Sequence, residues 1–136
     1  MSSFALQIVT PDRQVYDGQA QSLIVRTMTG DVCILNNHLD YAAPVIAGEA
    51  RVRDAEGNER VGACAGGLLS VYDNHVRLIA TTFEWQEEID LERAQRAENA
   101  ASERLSQLNK KDAEYSLVEA KLKRAVARIH AVSGSR

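Results

Sequence analysis

Apolar and polar residues alternate along most of the first 85 positions, and a period of two is the pattern of half-buried β-strands. Turn-forming pairs such as Gly30-Asp31 and Asp73-Asn74 separate the alternating stretches. These stretches cover 4–9, 23–27, 32–35, 50–54, 60–65, 68–72 and 76–81. Seven or more short strands at such close spacing predict an all-β domain, either an antiparallel β-sandwich or a flattened barrel.

After Trp85 the hydrophobic period changes to about three and a half residues, which is typical of α-helices. Asp90 is predicted to cap a helix that begins at Leu91, and Asp112 is predicted to cap a second one. Each helix has one apolar stripe, and the loop between them is short. The sequence therefore predicts that they fold back as an antiparallel α-helical hairpin.

Composition supports a division into two domains, residues 1–86 and residues 87–136. Seven of the eight glycines, both prolines and both cysteines lie in the first part. The apolar stripes of the second part are rich in alanine. Compared with leucine, alanine buries fewer CH2 groups, and each missing CH2 group lowers the stabilisation by about 0.8 kcal/mol. We therefore expect a hairpin that is held weakly and is able to open.

The charges argue against binding to nucleic acid, because 16 Lys and Arg stand against 19 Asp and Glu, for a net charge of -3. They are unevenly distributed: residues 110–136 carry seven basic and three acidic groups, and the rest is acidic. The basic terminal helix has two interpretations. It docks on its own acidic neighbours or is simply solvated, or it binds an acidic partner or a nucleotide.

Motifs for catalysis or metal binding are not found in the sequence. There is no Walker A loop and no G-x-S-x-G elbow, and no carboxylate lies in an apolar run that would raise its pKa. His38, His75 and His130 share no metal-ligand spacing with each other or with Cys33 and Cys64. We expect both cysteines to be buried free thiols, and a disulfide between them is the alternative. We do not expect an enzyme that acts alone.

Two further segments, an acidic run and a charge-free run, have no predicted catalytic or binding role. We interpret the acidic run Glu84, Glu87 and Glu88 as a solvated connector between the two domains. The longest charge-free run, 61–72, is too short and too rich in glycine to cross a bilayer, which needs about 20 apolar residues. No direct membrane insertion is expected.

Five segments, in order and over nearly the whole chain, resemble the epsilon subunit of F-type ATP synthases, which is called delta in mitochondria. Residues 30–38 are similar to that family's G-E-L-G-I-x-P-G-H segment, 65–71 to S-G-G-x-x-E-V, and 89–94 to I-D-x-x-R-A. Residues 6–12 and 122–128 resemble its first hairpin and its final helix. The chain departs from the family pattern at Cys33 and at Asn36-Asn37.

The resemblance implies a non-catalytic subunit of the central stalk that needs no cofactor. Its sandwich would bind the gamma subunit and rest on the ring of c subunits, with Asp31 facing the ring and His38 facing gamma. The alternative for both residues is a plain surface turn. The protein would then be a peripheral membrane protein at the cytoplasmic face of the bacterial inner membrane, without a membrane segment of its own.

The resemblance also implies a regulatory hairpin. Folded down, it would permit turnover. Extended along gamma, it would block ATP hydrolysis by contact with the catalytic beta subunit, with Lys121, Lys123, Arg124 and Arg128 as the inhibitory residues. The alternative function is a free-standing ATP-sensing or adaptor protein that presents a helical hairpin.

Some relatives bind ATP as a regulatory ligand in the folded-down hairpin. The matching positions here are Glu84, Ile89, Asp90, Arg93, Arg124 and Arg128. A further arginine of those relatives, seven positions after Arg93, is Ala100 in this chain.

Overall fold

The computed structural model describes residues 2–133. Seven β-strands are followed by one 3-10 turn and two α-helices. Their bounds are β1 Phe4–Val9, β2 Gln14–Thr27, β3 Gly30–Leu35, β4 Tyr41–Asp54, β5 Glu59–Tyr72, β6 His75–Ala80, β7 Phe83–Trp85, the 3-10 turn Gln86–Glu88, α1 Leu91–Ser106 and α2 Tyr115–Ser133. The predicted fold class, an all-β domain followed by a helical hairpin, is confirmed.

The sheet closes on itself as a flattened barrel. Five strands pair in the order β1-β6-β5-β4-β2, and β2 pairs again with β1. An odd number of strands in a closed path cannot alternate in direction all the way round, and the β1–β6 ladder is parallel. The flattened barrel is one of the two predicted architectures, and the predicted antiparallel pairing holds at every ladder of residues 2–133 other than this one. β3 extends the sheet beside β2, and β7 extends it beside β5.

The core of the barrel consists of aliphatic side chains from alternate strand positions. Phe4, Leu6 and Ile8 of β1 are fully buried, as their period of two predicts. Phe83 and Trp85 of β7 close one side of the core, and their rings meet edge to face at 4.9 Å. The short strand β7 was not predicted, because three residues are too few to show a period.

β5 is one continuous strand through Gly66 and Gly67, where the sequence predicted two separate strands, 60–65 and 68–72. Both glycines have positive φ, +96° and +150°, so the strand changes direction there without ending. Before this point β5 pairs with β7, and after it β5 pairs with β6. A Cβ atom on Gly67 would overlap the carbonyl oxygen of Ile79, so the close strand approach requires glycine.

The two cysteines differ in environment, and both are free thiols. Cys64 is buried as expected, and burial raises the pKa of its thiol to about 11. Cys33 is exposed on β3, so the expectation of two buried thiols is wrong for this residue. Residue 33 lies on the outward side of an edge strand. Its neighbours face inward, Val32 half-buried and Ile34 fully buried.

Asp90 caps α1 as predicted, since its Oδ1 accepts a hydrogen bond from the Arg93 N–H at 3.1 Å. Asp112 does not cap α2, which begins three residues later, at Tyr115. Its Oδ2 instead accepts from the Asn109 N–H at 2.8 Å. Asp112 therefore stabilises the loop between the helices instead of capping α2. Aspartate is common in both roles, because its short side chain accepts hydrogen bonds from nearby backbone N–H groups.

α2 packs on β4 and β5 of the barrel, and α1 packs on α2. The contact between α2 and the barrel is built from small side chains, with Ala127 and Ala131 against Ala63, flanked by Ala47, Val61 and Ile89. This second buried face of α2 was not predicted, because alanine hardly stands out in a hydrophobic pattern. Neither helix, over residues 2–133, has the length and apolar character of a membrane-crossing helix.

Candidate ligand and partner sites

An ion pair connects the barrel to α2 at the domain junction. Arg128 donates from Nε to Oε1 of Glu84 on β7, and the two side chains are only 28% and 33% exposed. Nearby, Gln86 donates from Nε2 to the backbone oxygen of Ala131 at 3.0 Å. These polar contacts supplement the alanine interface and help to hold the hairpin against the barrel.

The rest of the acidic run is also paired with arginines. Glu88 accepts two hydrogen bonds from Arg13, at 2.9 and 3.1 Å, and one from the Trp85 N–H at 2.9 Å. The bonds from Arg13, followed by that from the backbone N–H, lower the pKa of Glu88 from its ordinary value. Glu87 pairs with Arg60, whose guanidinium lies 3.8 Å above the Trp85 ring. Glu87 and Glu88 are exposed, as the interpretation of a solvated connector expected, but each of the three carboxylates is also paired with an arginine.

A cavity of about 210 Å³ lies at the junction between β7 and the start of α1. Five of the six residues predicted to bind ATP line it, namely Glu84, Ile89, Asp90, Arg93 and Arg128. Glu88 also lines it, so three carboxylates face two guanidinium groups. This cavity by itself is not suited to a polyanion, because its charge is net negative.

Arg124, the sixth residue, lines a neighbouring groove between the two helices. This interhelical groove has a volume of about 370 Å³ and shares Ala97 and Arg128 with the junction cavity. Four cationic side chains face it, and Glu114 is its one carboxylate; the cations are Arg104, Lys121, Arg124 and Arg128. Because guanidinium forks bind phosphate oxygens in pairs, this groove is suited to an anionic group.

The predicted inhibitory residues lie on two faces of α2. Lys121, Arg124 and Arg128 share the interhelical groove, as their spacing of three and four residues allows. Lys123 faces a different cleft, between α2 and β4, together with Arg26 and His130. The structure therefore does not bring all four into one patch while the hairpin is folded.

Glu49 lines the same cleft and is only 4% exposed. Its Oε1 lies 2.5 Å from Nη2 of Arg51, which also pairs with Glu59 at 2.6 Å. A buried carboxylate was not predicted at Glu49, because its burial depends on packing between distant parts of the chain and not on the local pattern. Its arginine partner two positions along the strand indicates a structural ion pair.

Asp31 and His38, the predicted partner contacts, lie at opposite ends of β3. Asp31 is exposed and pairs with Arg26 at 3.2 Å. The half-buried His38 contacts the Leu39 oxygen through Nδ1 at 2.7 Å, and its ring lies edge to face with the Tyr41 ring at a centroid distance of 5.7 Å. The two residues therefore lie on separate parts of the surface, and their contacts with partners stay a prediction.

An apolar row crosses the outer face of the sheet. Pro44, Leu68 and Ile79 are neighbours across β4, β5 and β6, and all three are exposed. Sequence alternation identified Leu68 and Ile79 as strand positions, but it did not include Pro44 in a strand and did not indicate one row, because strand register is set by the fold. No group of three or more His, Cys, Asp or Glu side chains within residues 2–133 is arranged to hold a metal ion.

Two family models together match residues 3–133 of the chain. The model of the ATP synthase delta/epsilon chain beta-sandwich domain matches residues 3–86, and that of its long alpha-helix domain matches residues 87–133.

Curated relatives named ATP synthase epsilon chain are similar over most of their length. The protein of Caldanaerobacter subterraneus is 36% identical over 132 residues, which is 96% of this chain and 94% of that protein. That of Ruminococcus albus is 35% identical, with 95% and 96% covered. That of Alkaliphilus oremlandii is 42% identical over 105 residues, with 77% and 78% covered.

Solved structures share the fold at low identity. A chain of the Euglena gracilis mitochondrial ATP synthase, OSCP/F1/c-ring in rotational state 1, aligns with a TM-score of 0.79 at 19% identity, covering 93% of this chain and 79% of that chain. A chain of the Tetrahymena thermophila mitochondrial ATP synthase central stalk and c-ring aligns with a TM-score of 0.58 at 15% identity, covering 97% and 96%.

Proposed function

The chain belongs to the ATP synthase delta/epsilon chain family, whose epsilon chain is a non-catalytic subunit, and we propose that it couples the catalytic head to the rotor and inhibits ATP hydrolysis through its hairpin. The observation that carries the proposal is the interface between α2 and the barrel. It consists of alanines and a few polar contacts, so little apolar area has to be exposed when the hairpin opens. A two-state element needs conformers within a few kcal/mol of each other.

The barrel is the proposed attachment to the rotor. Asp31 would contact the c-ring, while His38 and the apolar row of Pro44, Leu68 and Ile79 would contact gamma. Exposed apolar residues that are contiguous are typical of protein interfaces. The protein would then be held at the cytoplasmic face of the bacterial inner membrane as a peripheral subunit.

The hairpin is the proposed inhibitor. When α2 leaves the barrel, Lys121, Lys123, Arg124 and Arg128 become available together to an acidic region of the catalytic beta subunit. In the folded state Arg128 is held by Glu84, so this residue can join the inhibitory contact only when the hairpin opens.

We expect the full-length chain to recover gamma when it is used to purify its partners from its own cells. Changing both Leu68 and Ile79 to aspartate should abolish recovery, because charges would replace the centre of the apolar row. Changing the exposed Leu117 of α2 to aspartate is the matched control, since that residue lies off the barrel. Recovery of an unrelated protein instead of gamma would favour the adaptor function.

ATP is the proposed regulatory ligand of the folded hairpin. The junction cavity and the interhelical groove adjoin at Arg128, and together they contain all six predicted positions. A phosphate group would compete with Glu84 for Arg128. No cofactor is proposed.

Titration of the isolated chain with ATP should give a saturable change in the fluorescence of Trp85, the only tryptophan, which adjoins Glu84. Arg124→Ala should abolish it, because one of the groove's guanidinium groups is lost. Arg96→Ala, on the exposed part of α1 and away from both cavities, should leave it intact. A flat response in the unmodified chain would contradict ATP binding and leave the coupling role untouched.

A further inference from the structure

The charge of the joined cavities is divided along their length. The junction cavity has three carboxylates and two guanidinium groups, whereas the interhelical groove has four cations and one carboxylate. A ligand with several adjacent negative charges is therefore attracted to the groove and repelled by the junction. The cationic end of the groove is formed by Arg104 and Lys121, neither of which belongs to the predicted ATP-binding set.

The space in the groove comes from small residues on α1. Ala97, Ala100 and Ala101 line it, and Arg104 lies one helical turn after Ala100 on the same face. Across the groove, Lys121 and Arg124 lie on one face of α2. An anion in the groove would thus meet cations from both helices.

Arg104 already holds an anionic group in this structure. Its Nε and Nη2 donate to Oε1 and Oε2 of Glu114, at 3.0 and 2.8 Å. This paired geometry is the one in which a guanidinium also binds two phosphate oxygens. Both side chains are nearly half exposed, at 47% and 49%, so an anion from solution can reach them. The bond from Arg104 lowers the pKa of Glu114, so this carboxylate is ionised at neutral pH.

We propose that Arg104 is an anion-binding residue of the interhelical groove, that it binds the polyphosphate of the ligand together with Lys121 and Arg124, and that Glu114 is an internal competitor which occupies it when the groove is empty. This inference rests on the proposed regulatory nucleotide and names the residues that select its phosphates. Glu114 directly precedes α2, so ligand binding would also remove the link that this ion pair makes between the end of α1 and the start of α2.

Two variants break the same ion pair and separate this role from a structural one. Arg104→Ala removes a cation from the groove and should weaken ATP binding about tenfold or more. Glu114→Gln removes the competitor and should tighten it. Arg104→Lys keeps the charge without the fork and should bind with intermediate affinity. A salt bridge that only stabilised the hairpin would give changes of the same sign in Arg104→Ala and Glu114→Gln.

Binding is measured by calorimetry on the full chain with ATP, AMP and inorganic tripolyphosphate, with Arg96→Ala as the control and circular dichroism to confirm that each variant is folded. The proposal predicts that Arg104→Ala weakens and Glu114→Gln tightens the binding of both ATP and tripolyphosphate. It also predicts that Arg104→Ala does not change the affinity for AMP. If the unmodified chain binds ATP and both variants weaken binding, or neither changes it, the role of Arg104 is wrong and the nucleotide site stands. Binding of tripolyphosphate without ATP supports the groove and refutes the nucleotide. Binding of neither overturns both.

Discussion

Gly67→Ala is expected to lower the free energy of unfolding by roughly 2–6 kcal/mol, through two additive effects. At φ +150° an alanine is strained, and its Cβ would overlap the carbonyl oxygen of Ile79 and come within 2.9 Å of the Ala80 Cα. Both neighbours are backbone atoms of β6, so they cannot move aside as a side chain would. The loss is a large part of the 5–15 kcal/mol by which domains are typically stable.

Two glycines provide controls for this prediction. Gly57 also has positive φ, at +87°, but a Cβ there would meet nothing within 4 Å, so Gly57→Ala measures backbone strain alone. Gly18 lacks positive φ and its Cβ would be 3.9 Å from Tyr16, so Gly18→Ala should have little effect. Urea unfolding of the three variants compares them. A loss for Gly67→Ala no greater than that for Gly57→Ala would contradict the clash.

Glu84→Gln is expected to favour opening of the hairpin roughly 10- to 160-fold, which corresponds to about 1.5–3 kcal/mol for a hydrogen bond between charged groups. The substitution leaves Arg128 without its carboxylate at a position that is 28% exposed, and so destabilises the folded state. In the assembled enzyme the same variant should deepen inhibition of ATP hydrolysis, because more hairpins are extended.

Hydrogen exchange of the isolated chain without nucleotide measures the opening directly. Amide protons of α2 should exchange faster in Glu84→Gln, while those of β1 and β6 should be unchanged. Glu119→Gln is the control, because it removes an exposed pair with Lys123, at 3.7 Å on α2 itself. Such surface pairs contribute about 0–1 kcal/mol. Equal exchange in the two variants would show that the Glu84–Arg128 pair does not hold the hairpin.

The fold could be predicted from the sequence because its signals are local. The periods of two and three and a half identified both domains, and the Asp90 cap was predicted to the residue. The parallel β1–β6 ladder could not be predicted in this way, because it follows from closing five strands into a ring. Nor could the docking face of α2, whose alanines carry too weak a hydrophobic signal.

The candidate site was predicted in part. Five of the proposed nucleotide residues come together at the junction, although β7 and α2 are distant in the sequence. Docking of the basic helix on its own acidic neighbours was one of the interpretations of its charge, but the particular pair of Glu84 with Arg128 was not identified, because charge runs alone do not tell solvated carboxylates from paired ones. Arg104 was missed for a related reason, since its groove exists only where two helices face each other. The spacing of Lys121, Arg124 and Arg128 was the one signal of that groove in the sequence.

The central claim is that the hairpin inhibits ATP hydrolysis, and truncation tests it most directly. The chain should end after Glu88, so that this residue keeps its bonds with Arg13 and the Trp85 N–H. ATP hydrolysis is measured in assembled enzyme containing the truncated or the full-length chain, with gamma retention checked in both. The account predicts faster hydrolysis with the truncated chain at equal gamma content. An equal or lower rate would contradict it.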